Sequence, residues 1–196
     1  MRTVDQYVLR VLADQWTAPS RTPTLLDVSR RGDGIATELA RAGFRVTRVA
    51  RQESSLETVS ERLAGIHRQF DAVVVRDLLE TQDDWRAVVS RAARRLRPGG
   101  VFVYGVTSGV GERWLGRLLP RRLRPRPAIP AGEMTALLRR SGLLQREMIS
   151  LAAETLDTTT TTYMGHSIRK GLPHSAMTLQ WDFTGTGERW LAAARG

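Results

Sequence analysis

The chain has 196 residues, of which 41% are hydrophobic, enough to bury one sizeable core and ordinary for a globular domain. It has no cysteine, which excludes a disulfide framework, a thiolate metal site and a thiol nucleophile. The net charge is +10, and of the thirty basic residues only Lys170 is a lysine, so the positive charge reflects an arginine bias on solvated faces. The sequence shows no recognisable nucleic-acid-binding motif, and we expect no nucleic-acid partner.

The first 20 residues alternate charged with apolar side chains, as an amphipathic helix does and a secretory signal does not. We predict an N-terminal helix over residues 4–15, ended before Pro19. No run of eighteen consecutive apolar residues occurs in the chain. We therefore expect a cytoplasmic protein with a single domain over residues 1–196.

Apolar runs alternate with amphipathic segments between residues 24 and 106. The pattern predicts strands at 24–28, 45–50, 70–75 and 101–106, and helices at 35–42, 54–67 and 85–96. Gly43 is typical of a helix C-cap, and the turn Pro98-Gly99-Gly100 would end the last helix. Continuously apolar strands separated by helices indicate a doubly wound, mostly parallel α/β sheet.

The pattern changes after residue 106. Residues 107–132 are rich in glycine, proline and arginine and form a predicted basic cap, followed by a helix at 133–141 and a strand at 143–151. The threonine run 158–162 and residues 176–183 favour an antiparallel pair at the sheet edge. We therefore expect the C-terminal part of the sheet to be antiparallel.

The order of strand, turn, helix and strand, followed by FDAVVVRDLLE and LRPGGVFVYGV, resembles class I S-adenosylmethionine (SAM)-dependent methyltransferases. Within that superfamily the chain looks most like the O-methyltransferases of ubiquinone biosynthesis, chiefly over residues 24–106. The resemblance implies a Rossmann-like fold with SAM as cofactor. Because one helix but no further strand fits between residues 50 and 71, we expect the family's third strand, and with it the adenine side of the pocket, to be missing.

The resemblance places the cofactor at Asp27, Ser29, Gly32, Gly34 and Ala50. The family has glycine at every second position after the strand, where the backbone passes close to the cofactor, but this chain has Ser29, Arg31 and Asp33 there. Gly32 and Gly34 fit only if the register slips. The family's ribose-binding acid falls on Ala50, whose side chain accepts no hydrogen bond. Together these departures predict a degraded SAM site.

The loop RDLLETQDDW follows the strand at 70–75 and matches the family's acidic loop. Asp77 and Glu80 fall on its two acidic positions and are our candidate catalytic residues, whereas Thr81 replaces its histidine. Without that histidine the loop has no obvious general base for a phenol. Asp77 and Glu80 could hold a magnesium ion, but the neighbouring Asp83 and Asp84 favour helix capping or solvation, and we predict no metal.

Histidines and a basic segment supply the remaining candidates. His67 ends a predicted helix, while His166 and His174 flank a predicted edge hairpin, where a structural role is favoured over a catalytic one. Residues 112–127, ERWLGRLLPRRLRPRP, interleave arginines with apolar residues. Such a segment could touch a membrane surface or an acidic partner, but its prolines equally allow a loop packed on the core.

Three functions remain open. The first is a methyltransferase-fold protein with a degraded SAM site that acts in quinone-like or secondary-metabolite biosynthesis. It would be a non-catalytic auxiliary subunit that binds an active methyltransferase homologue, or it would form a homodimer. The second is an active SAM-dependent O-methyltransferase of a phenolic or enolic small molecule. The third is a binder of an anionic metabolite, attracted by Arg30 and Arg31 at the start of a helix.

Overall fold

The computed structural model describes residues 3–16, 21–29, 35–49, 58–79, 82–110, 129–154 and 159–170. The helices in these ranges are α1 Thr3–Gln15, α2 Ile35–Arg41, α3 Val59–Gly65, α4 Trp85–Arg94 and α5 Ala131–Arg140. The strands are β1 Thr24–Ser29, β2 Arg45–Arg48, β3 Phe70–Arg76, β4 Leu96–Val110, β5 Leu143–Glu154 and β6 Thr159–Arg169. Strands and helices thus alternate as the sequence predicts.

The six strands form one sheet in the order β2-β1-β3-β4-β6-β5. β2, β1, β3 and β4 are parallel, and β6 runs antiparallel to β4 and β5, which confirms the predicted doubly wound sheet with an antiparallel edge. The described residues between β2 and β3 hold α3 and no strand, in agreement with the expected loss of the third strand. β2 lies on one side of β1 and β3 lies on the other, so the strand order reverses between β1 and β3. Sheets of this kind bind ligands at such a reversal, which we call the switch point.

One strand pairing and the junction between α4 and β4 differ from the prediction. The threonine run was predicted to pair with residues 176–183, but its strand, β6, pairs with β4 on one side and with β5 on the other. Residues 176–183 lie outside the described residues. α4 ends at Arg94 because Leu96 already pairs with Phe70 in the sheet. The glycines of LRPGG shape this entry to β4: Gly99 has φ +77°, and a Cβ on Gly100 would lie 2.7 Å from the carbonyl oxygen of Asp71.

The two faces of the sheet pack against different helices. Alternate strand residues such as Leu26, Val73 and Phe102 face α3, α4 and α5, whereas Leu25 and Val74 face α1 and α2. By the same alternation the side chains at the ends of β1 and β3 lie on the α1 and α2 face. This face therefore carries the switch point.

α1 docks through an apolar stripe of Val4, Val8, Val11 and Leu12, which are all buried. The close approach needs a glycine on β4, because a Cβ on Gly105 would lie 2.5 Å from a Cγ atom of Val4. The first turn of α1 is thereby held near the carboxyl ends of β3 and β4.

Asp71 ties three strands together at the opposite, amino end of the sheet. Its carboxylate accepts hydrogen bonds from the backbone and hydroxyl of Thr24, both at 2.8 Å, and from Arg21 and Arg97, at 3.2 and 3.0 Å. Partial burial raises the pKa of Asp71, but the hydrogen bonds from Thr24, Arg21 and Arg97 outweigh it and leave the pKa at about 2. This acid is structural and lies away from the switch point.

Candidate functional site

Charged side chains meet at the carboxyl ends of β1 and β3. Asp27 and Arg76 are 1% and 2% exposed, and they lie on neighbouring strands because Asp27 pairs with Val74 and Ser29 pairs with Arg76. Asp5 approaches from α1, Arg48 from β2 and Asp77 from the residue after β3. We call these five residues the carboxyl-end cluster.

Arg76 lies at the centre of the cluster. Its Nη1 atom donates to Asp5 Oδ1 at 3.0 Å and lies 3.7 Å from Asp77 Oδ2. Its Nε atom lies 4.0 Å from Asp27 Oδ1, and Arg48 Nε lies 3.9 Å from Asp27 Oδ2. Asp27 is thus flanked by two guanidinium groups, neither of which is within hydrogen-bonding distance of it.

Several buried polar atoms of the cluster lack a hydrogen-bond partner of good geometry among the described residues. They are both carboxylate oxygens of Asp27 and the Nε and Nη2 atoms of Arg76. A buried polar group without a partner costs on the order of 1–3 kcal/mol, so native proteins keep few of them, and those they keep call for a functional explanation. Here they coincide with the ligand-binding switch point of the fold.

The ionisation of Asp27 reflects its surroundings. Burial raises the pKa of the Asp27 carboxyl, and Arg76, Ser29 and Arg48 lower it only in part. A ligand that brought a cation or hydrogen-bond donors to this carboxylate would favour its charged form.

Asp77 has an unusual backbone. Its φ of 49° makes it the non-glycine residue with positive φ in the part of the chain that the structure describes. A side chain in this region carries strain, although aspartate and asparagine tolerate it better than most residues, and such strain gathers at functional sites. The strained backbone puts Asp77 at the mouth of the switch point, beside Arg76.

A family model described as a methyltransferase domain matches residues 4–144. The chain belongs to this family. Ubiquinone biosynthesis O-methyltransferases are among its relatives: that of Klebsiella pneumoniae is 33% identical over 46% of this chain and 45% of its own length. The enzyme of Paramagnetospirillum magneticum is 26% identical over 69% of this chain and 65% of its own length, and that of Xylella fastidiosa is 27% identical over 77% and 76%. The matches thus span from under half to about three quarters of these relatives.

Solved structures share the fold at low identity. Magnesium protoporphyrin IX methyltransferase of Synechocystis, with bound S-adenosylhomocysteine (SAH), has a TM-score of 0.59 at 14% identity and covers 86% of this chain and 82% of its own. Phosphoethanolamine N-methyltransferase 2 of Haemonchus contortus, in complex with SAM, has a TM-score of 0.62 at 14% identity over 84% of this chain and 52% of its own. Both likenesses support the class I methyltransferase fold.

Three of the predicted site residues come together in the methyltransferase domain. Asp27 and Ser29 end β1, and Asp77 follows β3 directly, so the switch point brings them to one edge of the sheet. The other candidates, Gly32, Gly34, Ala50 and Glu80, lie outside the described residues, as do Arg30, Arg31, Asp33, Thr81 and the basic segment 112–127. The degraded SAM turn, the anion site and the membrane contact therefore stay predictions.

Sequence reasoning missed Arg76 and Asp5. Arg76 follows Ala72 and Val74 at alternate positions of an apolar strand, so its side chain had to lie on their buried face. Asp5 lies next to Val4 and one turn from Val8 on the apolar side of α1. A charged residue on the buried face of β3 and another on the apolar face of α1 indicated that Arg76 and Asp5 could pair.

A second polar cluster joins α1 to β5 and β6. The Tyr7 hydroxyl lies 3.0 Å from His166 Nδ1, Arg10 Nη2 donates to Glu147 at 2.7 Å, and His166 Nδ1 lies 3.6 Å from that carboxylate. Burial lowers the pKa of His166 and, with Glu147 nearby, raises that of Tyr7. His166 therefore lies on β6, an interior strand and not the predicted edge, and helps to anchor α1. His174 lies outside the described residues.

The described residues contain no group of three or more His, Cys, Asp or Glu side chains arranged to hold a metal ion. Within the same ranges, every helix is too short or too polar to cross a membrane.

Proposed function

We propose that this chain is a SAM-dependent methyltransferase that methylates an oxygen of a phenolic or enolic small molecule. The observation that carries the proposal is the pair Asp27 and Arg76, which are buried at the switch point with polar atoms that form no hydrogen bond of good geometry with the described residues. The family membership supports methyl transfer, and the names of the ubiquinone biosynthesis relatives support an oxygen acceptor.

The residues present fit SAM at its amino-acid end. That end carries an ammonium group, and the two unsatisfied oxygens of Asp27 are acceptors suited to it. Asp27 and Ser29 would hold this end, with Gly32, Gly34 and Ala50 as the predicted further contacts. Bound SAM supplies an electrophilic methyl group on a sulfonium sulfur.

Asp77 would act on the acceptor. As the acceptor oxygen takes the methyl carbon, its proton must pass to a base, and the cofactor sulfur keeps the electron pair of the broken bond. Asp77 follows β3 directly, is half-buried and pairs with Arg76. Since Thr81 replaces the family's histidine, we assign to Asp77 the roles of orienting the acceptor hydroxyl and receiving its proton, with Glu80 as the predicted second carboxylate.

Calorimetric titration of the purified chain with SAM and with SAH tests the cofactor directly. We expect saturable binding of both ligands at micromolar concentration. A chain of verified fold that binds neither ligand would contradict the proposal.

A non-catalytic auxiliary subunit is the second candidate. It is favoured because Arg76 already places a cation beside Asp27 and is bonded to Asp5 of α1, so protein charges occupy the cofactor end of the site. The predicted departures at Arg31, Asp33 and Ala50 point the same way. This candidate predicts no SAM binding by the chain alone, and co-purification from the native source with an active methyltransferase homologue, or recovery as a homodimer.

A further inference from the structure

We propose that Arg76 binds the carboxylate of the cofactor's amino-acid end while the neighbouring Asp27 binds its ammonium group. The inference rests on the proposed function and adds a specificity-determining residue to it. It assigns a role to a buried arginine at the end of a strand whose other residues, from Phe70 to Val75, are apolar apart from Asp71.

The orientation of the guanidinium group is the first argument. Asp5 takes a hydrogen bond from Nη1, whereas Nε and Nη2 lack a hydrogen-bond partner among the described residues. Nε and Nη2 form one edge of the planar group, and their two parallel N–H bonds match the two oxygens of a carboxylate. The edge that remains available is thus the edge suited to a bidentate carboxylate.

Charge balance is the second argument. The carboxyl-end cluster combines three carboxylates, on Asp5, Asp27 and Asp77, with two guanidinium groups, on Arg48 and Arg76. Among these five described residues the carboxylates outnumber the guanidinium groups, so a simple anion would add to their negative charge. The amino-acid end of SAM or SAH instead brings one positive and one negative group joined through a single carbon, and therefore adds no net charge.

The spacing of Asp27 and Arg76 is the third argument. Their closest charged atoms are 4.0 Å apart, near enough to attract but too far for a direct hydrogen bond. Each residue therefore retains hydrogen-bonding capacity for a ligand that carries the opposite charge. Asp5 holds Arg76 from the far side and is a positioning residue.

Ligands that differ only at this end test the inference on the unmodified chain. Calorimetry would compare SAH, its decarboxylated analogue and 5′-methylthioadenosine, which lacks the whole amino-acid end. We expect the decarboxylated analogue to bind about tenfold to a hundredfold more weakly than SAH, the usual effect of losing a charge-assisted hydrogen bond. Equal affinities for SAH and the decarboxylated analogue would overturn the inference.

Arg76→Met gives the complementary test. We expect it to lower SAH affinity about tenfold to a hundredfold and to leave the affinity for the decarboxylated analogue unchanged, with Arg76→Lys in between. The matched control is Arg97→Met, which removes an arginine from Asp71 at the other end of β3 and should leave SAH affinity unchanged. Circular dichroism would verify the fold of each variant.

The outcomes separate the two proposals. If Arg76→Met binds SAH as tightly as the unmodified chain, Arg76 does not bind the carboxylate; if it binds SAH more tightly, Arg76 competes with the cofactor. Either result overturns this inference, while the proposed function stands. If the unmodified chain binds neither SAH nor 5′-methylthioadenosine, the proposed function fails and the inference fails with it. If Arg76→Met does not fold, the comparison of SAH with its decarboxylated analogue on the unmodified chain decides.

Discussion

Asp27 is buried, and neither of its oxygens accepts a hydrogen bond of good geometry from a described residue. Two guanidinium groups lie beside it at ion-pair distances of 3.9 and 4.0 Å, beyond hydrogen-bonding range. A purely structural acid would be expected to resemble Asp71, whose oxygens accept several hydrogen bonds. The contrast between these two aspartates, at opposite ends of adjacent strands, separates a ligand-binding residue from a stabilising one.

Asp27→Asn should therefore weaken SAH binding without destabilising the fold at neutral pH. The pKa of Asp27 is raised in the folded state, so its ionisation costs stability as pH rises from the ordinary aspartate pKa through the raised value. The asparagine variant lacks this cost. Thermal unfolding from pH 4 to 8 should show the variant gaining stability relative to the unmodified chain as pH rises; a uniform loss would indicate a structural role.

Asp77 combines a candidate catalytic carboxylate with a strained backbone, and substitutions can separate the two. Asp77→Asn should keep the fold, because asparagine tolerates positive φ, but lower methyl transfer at least tenfold if the carboxylate receives a proton. Asp77→Gly would remove the strain and should raise the thermal midpoint. Full activity in Asp77→Asn, measured by SAH release with a phenolic acceptor, would contradict the assigned role.

At the scale of elements, α1 is fastened to the sheet at two places. Asp5 bonds to Arg76 near the switch point, and Tyr7 and Arg10 bond to His166 and Glu147 on β6 and β5. The helix therefore links the parallel and antiparallel halves of the sheet. Its docking is expected to depend on pH.

His166 provides that pH dependence. Burial lowers its pKa in the folded state, so its neutral form is favoured there and stability is lost as pH falls through the ordinary histidine pKa and toward the lowered value. His166→Gln should remove this part of the acid destabilisation between about pH 7 and 5. Hydrogen exchange of the α1 amides, compared between the two proteins at both ends of that range, would measure it; identical profiles would exclude His166 as the group responsible.

Asp71 acts in a lower pH range. Its pKa of about 2 in the folded state lies below the ordinary value of 3.8, so it stabilises the fold above the ordinary value and loses that effect as pH falls toward 2. Asp71→Asn should reduce the free energy of unfolding by about 1–3 kcal/mol, since the part-buried hydrogen bonds from Thr24, Arg21 and Arg97 lose a charged acceptor. Urea denaturation at pH 7 measures this, with the exposed Asp14→Asn as the control expected to change little.

At the scale of the whole molecule, the sequence predicted the order of elements and the type of sheet because both depend on local patterns of apolar residues. It also predicted no third strand between residues 50 and 71, and the described residues there, 58–69, hold α3 and no strand. The partner of the threonine-run strand was predicted wrongly, because β6 pairs with β4 and β5, and the pairing of strands distant in sequence is not recorded in a local pattern. Asp27 and Asp77 were found through family motifs.

Arg76 and Asp5 could not be found in that way. They are separated by 71 residues, and their bond exists only because α1 crosses to the carboxyl end of β3. No local pattern records such a distant pair. Alternation along β3 could have shown that Arg76 points into the core, but not which residue receives it.

The strand order also has a consequence for biosynthesis. Among the described strands, β5 pairs only with β6, and β6 in turn pairs with β4. During translation β5 leaves the ribosome before β6, so its pairing in the sheet is complete only when residue 169 has emerged. A nascent chain paused between these two strands would expose both edges of β5, and chaperones that recognise unpaired strands would be expected to engage it at that stage.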